Sequence, residues 1–186
     1  PVTSTELTEA RAGVLWTTLV LAGTVGVDRA FRGEGEGRLL EGLLLSPVSR
    51  ATLFHARVVS TLLFVLTIAA PSFVLFLGIF NQSVSADALL WIALTGLGTL
   101  LGFVTLGVML SSLTFSLRGG DVMLRVILFP LVLPLFNAAV SATALAFTGE
   151  SPRMTHAVLI AAFDLVFLGA GHLLFEHGVR DLGSQG

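Results

Sequence analysis

The sequence predicts an all-α membrane protein, a polytopic bundle of long apolar helices, and three observations carry that prediction. Hydrophobic residues make up 54% of the 186-residue chain and charged residues only 12%, where ordinary soluble domains carry roughly 25% charged residues. Mean hydropathy is +0.93. Apolar residues then run continuously over five stretches of membrane-crossing length, whereas the strands of a membrane barrel alternate polar and apolar residues in segments of about ten. Finally, five of the ten arginines fall in one insert between the first two stretches. No repeat or low-complexity linker divides the chain, so residues 1–186 read as one transmembrane domain.

The elements follow from the thickness of the bilayer. A hydrocarbon core about 30 Å thick takes about 20 apolar residues as a helix, with a range of about 17 to 25. Residues 12–27 are marginal, 58–80 are ample, and 88–117 are long enough to tilt or to extend past the membrane. Residues 122–147 and 157–175 complete five spans, and residues 28–57 form the insert.

Arginine placement orients the bundle. Arg29, Arg32, Arg38, Arg50, Arg57, Arg118, Arg125 and Arg180 fall on one side, and Arg11 and Arg153 on the other. The positive-inside rule puts the first group, and with it the insert and the C-terminus, in the cytoplasm. The chain starts at Pro1 on the outer side, and Thr3, Ser4, Glu6 and Glu9 do not resemble a signal peptide. An additional helix ahead of it, giving six spans in the intact protein, is therefore expected.

Some chemistry is excluded by composition. All ten basic residues are Arg, and the chain holds neither Lys nor Cys. That rules out a phosphate-loop lysine, a Schiff base, a thiol nucleophile, a cysteine metal site and a disulfide. A net charge of -2 without a basic stripe gives no nucleic-acid footprint.

Within the insert, Leu40, Leu43 and Leu44 share one helical face, while Arg38, Glu41 and Gly42 break the apolar character of the other. Ser46-Pro47 ends or bends this helix, because proline cannot continue the backbone ladder and restricts its predecessor. Such a helix lies flat at the membrane interface, either as a plain connector or as a docking element offering its polar edge to the cytoplasm.

The spans hold a few unusual residues. Gly98 and Gly102 have the spacing that lets membrane helices approach closely, within the bundle or across a dimer seam. Pro130 and Pro134 each remove a helical hydrogen bond, as a hinge or as static kinks. Asp164 sits near the middle of the last span, where an acidic side chain costs about 2.5 to 3.5 kcal/mol on insertion scales. It must face a polar partner, for which Asn137 is a candidate, or a hydrated pathway. His172 is about 80° around the same helix, too far for a direct pair. His55, His156 and His177 sit near span ends, read as interfacial positions, and none forms a metal-ligand cluster.

Two motifs carry a resemblance. Asp28-Arg29-Ala30-Phe31-Arg32, followed by a Gly/acidic run and by Leu39-Leu40-Glu41-Gly42-Leu43-Leu44-Leu45-Ser46-Pro47, resembles the CcmB family, the membrane subunit of the bacterial haem-exporting ABC transporter of cytochrome c maturation. A second match runs from Leu113 through Arg118, Gly119 and Gly120 to Leu128-Phe129-Pro130-Leu131-Val132-Leu133-Pro134, similar to that family's basic Gly-Gly loop and proline-containing helix. The order and spacing cover essentially the whole chain. Its Glu34-Gly35-Glu36-Gly37 is less acidic and richer in glycine than the family pattern, and the family's first helix is not seen.

The resemblance implies a permease in the bacterial inner membrane that works with a separate ATP-binding cassette ATPase and with haem-handling membrane subunits, surrounded by lipid and open to homodimerisation. Haem would be cargo rather than a resident cofactor. Docking of the ATPase would fall on Leu39, Leu40, Glu41, Leu43, Leu44, Ser46 and Pro47, with Glu41 as the polar contact. The rival readings are an exporter subunit of the same architecture for a lipid, drug or polysaccharide, and an intramembrane enzyme built on Asp164 and His172. The enzyme reading lacks the second carboxylate or histidine-rich metal motif that hydrolysis asks for.

Overall fold

A computed structural model gives an all-α bundle and describes residues 4–32, 49–80, 84–114, 120–150 and 154–177. The five helices are α1 (Ser4–Arg32), α2 (Arg50–Ile79), α3 (Ala86–Thr114), α4 (Gly120–Thr148) and α5 (Met154–His177). No strand occurs among the described residues. In lipid every backbone N–H and C=O must be paired inside the segment, which is why continuous apolar runs become helices.

Each of the five helices starts ahead of the apolar run that predicts it. The second begins at Arg50 rather than at 58, so the last part of the expected 28–57 insert is helix, and α1 likewise continues to Arg32. Capping explains the start of α2: Ser49 is extended at φ -64° and ψ 145°, and its Oγ accepts from the Thr52 N–H at 3.2 Å. Ser85 caps α3 in the same way, accepting from Ala88 N–H at 3.3 Å. At the far end of α4, Gly149 turns left-handed at φ 75°. Glu150 N–H then donates to Leu145 O at 3.1 Å, and Gly149 N–H to Ala146 O at 3.4 Å, closing a Schellman stop.

Consecutive helices alternate in direction, and ring contacts mark the two ends of the bundle. At one end the Arg11 guanidinium lies 5.9 Å from the Phe80 ring, and Phe76 stacks on Phe147 at 5.9 Å. At the other, Phe54 meets Phe175 at 4.8 Å and His55 meets His172 at 5.4 Å.

Helix α3 is the centre and packs against all four others. Its residues 102–111 are buried without interruption, the pattern of a helix apolar on every side. Half of its membrane-length window is buried, against 17% for α2 and for α5, so those two present broad apolar faces outward. Among the described residues four helices are long and apolar enough to cross a membrane: α2, α3, α4 and α5. The expected fifth span, 12–27, lies in a helix that packs into the same core through Ala12, Leu15, Trp16 and Leu19. Glu6, Glu9 and Arg11 precede that run in the first turns of α1.

Candidate functional site

Polar groups inside an apolar bundle are the most informative positions, because each must find a partner or pay for its burial. Most of the serines and threonines here bond backward to their own helix. Thr95 donates to Trp91 O at 2.7 Å, Thr99 to Thr95 O at 2.7 Å, Ser111 to Gly107 O at 2.8 Å and Ser72 to Ile68 O at 2.7 Å. Thr143 donates to Ala139 O at 2.8 Å and also accepts from the Trp16 indole N–H at 3.0 Å. That last pair joins α1 to α4 with both members buried.

Asp164 behaves differently. It is only 9% exposed, and its Oδ1 is buried with no hydrogen-bond partner. Its carboxyl lies in a notch made by two glycines of α3. A Cβ at Gly98 would stand 2.8 Å from Ile160 Cγ2 and 3.5 Å from Asp164 Oδ2. A Cβ at Gly102 would collide with Asp164 Oδ1 and approach Leu135 Cδ2 and Phe163 Cδ1, each at 3.1 Å. The Gly98/Gly102 pair therefore serves packing within the bundle: α5 fills it, and the carboxyl rests where any side chain would stand.

The hydrogen bond to Asn137 offered by the sequence is not formed at Asp164 Oδ1. On α4 the buried face is Leu135, Ala138, Ala139 and Ala142, which leaves Asn137 exposed on the other side. Pro130 and Pro134 are exposed as well, and α4 continues through both without interruption. Pro71 inside α2 is a third such residue that the sequence reading passed over.

At the Arg50 end of the bundle, His172 turns to Glu176, 3.3 Å from Nε2 to Oε2, rather than toward Asp164. His55 Nδ1 lies 2.7 Å from Ala51 O and its ring sits edge-on to His172. Gly171 lets the Phe54 ring seat directly on the α5 backbone. The Asp164–His172 pairing needed by an intramembrane enzyme is thus not assembled. No group of three or more His, Cys, Asp or Glu suited to a metal ion occurs among the described residues.

The docking segment Leu39 to Pro47, and Arg118 and Gly119 of the second loop, lie outside the described residues. Gly120 is the first residue of α4. Two buried groups that the sequence reading missed are Thr61 and Thr105, whose Oγ1 atoms have no partner. Threonine is ordinary in membrane helices, so neither stands out until its neighbours are known.

Fold and buried groups together define a polytopic membrane protein with a helix-bundle interior and one mid-span carboxyl. The family model described as CcmB protein matches residues 2–181, nearly the whole chain, and the chain belongs to that family. It is also 30% identical over 125 residues to Heme exporter protein B of Pseudomonas aeruginosa, a match that covers 66% of this chain and 54% of the relative. The chain thus spans about half the length of the curated relative it matches. No solved structure gives a significant match.

Proposed function

We propose that this chain is the membrane-embedded permease subunit of an ATP-binding cassette haem exporter in a bacterial inner membrane. The observation that carries this reading is membership of the CcmB family over residues 2–181, and the relative named Heme exporter protein B supports haem as cargo. The chain contains no Lys, so it cannot build the usual phosphate-binding loop, and its energy comes from a partner ATPase. The Arg50 end of the bundle is the cytoplasmic end, as the arginine count requires.

Coupling runs through Leu39 to Pro47. Leu40, Leu43 and Leu44 anchor the segment or fill a groove on the ATPase, and Glu41 gives the charged contact. Motion passes from there into α2, which begins two residues after Val48. In α4, Pro130 and Pro134 remove two backbone donors from one face and mark where that helix bends.

The experiment is copurification of the full-length protein with its ATPase, comparing the parent with Glu41→Arg. The variant inserts normally and loses most of the bound ATPase and of the coupled turnover. Undiminished copurification and turnover would remove the docking assignment.

A further inference from the structure

Three buried oxygens in this bundle lack partners among the described residues: Thr61 Oγ1 on α2, Thr105 Oγ1 on α3 and Asp164 Oδ1 on α5. Thr61 is 2% exposed, Thr105 0% and Asp164 9%. The other buried hydroxyls bond their own helix, so a solution available one turn away is not taken here. Orphaned buried polar groups are rare, and an unseen water or ion is a standard reason for them.

Helix register brings the three to one seam. Helices α2 and α5 run in opposite directions, and Phe54 of α2 rests on Gly171 of α5. Seven residues, two turns, from Phe54 along α2 reach Thr61, and seven residues back along α5 from Gly171 reach Asp164, both on the faces that meet. Thr61 therefore stands at the level of Asp164. Helices α3 and α5 run in the same direction, and Gly98 and Gly102 bracket the Asp164 carboxyl. Thr105 is three residues past Gly102 and seven past Gly98, on the same face, one turn nearer the Arg50 end. A carboxylate oxygen accepts only, whereas a hydroxyl both donates and accepts. Water, with two donors and two acceptor sites, serves all three, and it needs two to four polar partners to stay.

We propose that Thr61, Thr105 and Asp164 form one internal hydration site, a water-holding polar seam between α2, α3 and α5 in the middle of the bundle. The site stands on packing alone and does not depend on the haem-export reading. It divides the interior into a wet seam around α5 and a dry one around α1 and α4, where the Trp16–Thr143 bond is direct.

In the full-length protein purified in detergent, Thr61→Val and Thr105→Val decide by sign. Valine in place of an unpaired hydroxyl is neutral or stabilising, and in place of a water-bonded one it destabilises. Each valine variant lowers the melting temperature by about 2–4 °C, and an unchanged or raised melting temperature would overturn the site. Failure of this test leaves the ATPase docking assignment untouched, because that is read by copurification of Glu41→Arg.

Discussion

Two polar seams cross this bundle and solve the same problem in opposite ways. Between α1 and α4, the Trp16 indole and the Thr143 hydroxyl bond each other directly, and Thr143 also bonds its own helix, so every donor is used. Between α3 and α5, Asp164 presses into the Gly98/Gly102 notch with Oδ1 unpaired. In the first seam side chains bond each other directly from one helix to the next. In the second the glycines carry no side chain, so the backbone itself becomes the wall of the carboxyl's pocket. The first is a fastener. The second leaves a polar group in reserve, and in a membrane interior such a group is rarely kept without use.

The comparison breaks most visibly at Gly102. A leucine there puts a branched side chain where Asp164, Leu135 and Phe163 already converge, and overpacking a filled site costs about 1–3 kcal/mol, more where backbone must move. Gly102→Leu should therefore lie at or beyond the top of that range, seen as loss of monodisperse protein in detergent. Gly78→Leu is the matched control, since no atom lies within 4 Å of a Cβ at Gly78. Equal yields of the two variants would show that α3 and α5 are not interlocked through the notch.

Next in size is Thr143→Val. It removes the acceptor of the Trp16 N–H and leaves that donor buried, a loss of about 1–3 kcal/mol, measured as a lower denaturation midpoint. Trp16→Phe in the same background should recover part of the loss, because the stranded donor goes with the indole. A Thr143→Val variant as stable as the parent would mean that the indole finds another acceptor and that the α1–α4 seam is not fastened by this bond.

How much of this was legible in the sequence depends on what each feature costs. The apolar stretches announced the helices because continuous apolarity has one solution in lipid, and the fold class follows from it. Their ends were less legible: Arg50 to Arg57 read as part of the insert because two arginines and a histidine interrupt the apolar run there, yet the Ser49 cap and helix continuity carry α2 through them. Residues 12–27 read as a span, and they lie in α1, which packs into the shared core through Ala12, Leu15, Trp16 and Leu19. Asp164 was legible because a mid-span acid is expensive wherever it points. Its surroundings were not: Asn137 looked like a partner on residue type, and only the rotation of α4, which buries Ala138 and Ala139, turns it outward. Thr61 and Thr105 were invisible for the opposite reason, since a threonine costs little until its own-helix bond is found missing. The GxxxG pair read as a packing element or a dimer seam, and the contact with α5 places it within the bundle.

The smallest expected effect sharpens the comparison most. Asp164→Asn keeps the size and planar shape that fit between Gly98 and Gly102, so the interlock survives. It removes the carboxyl's charge and adds two N–H donors at a place where hydroxyl oxygens are available to accept. Stability should therefore stay within about 0.5 kcal/mol of the parent, the scale of substitutions that disturb neither packing nor pairing, with yield and denaturation midpoint as the readout. Were the carboxylate itself the fastener, as Thr143 is for Trp16, the asparagine variant would instead fall by the amount that Thr143→Val does. Coupled transport measured on the same preparation separates the remaining possibilities. A folded Asp164→Asn protein with reduced transport assigns the charge to the transport cycle, whereas full transport assigns Asp164 to holding water and shape at the α3–α5 seam.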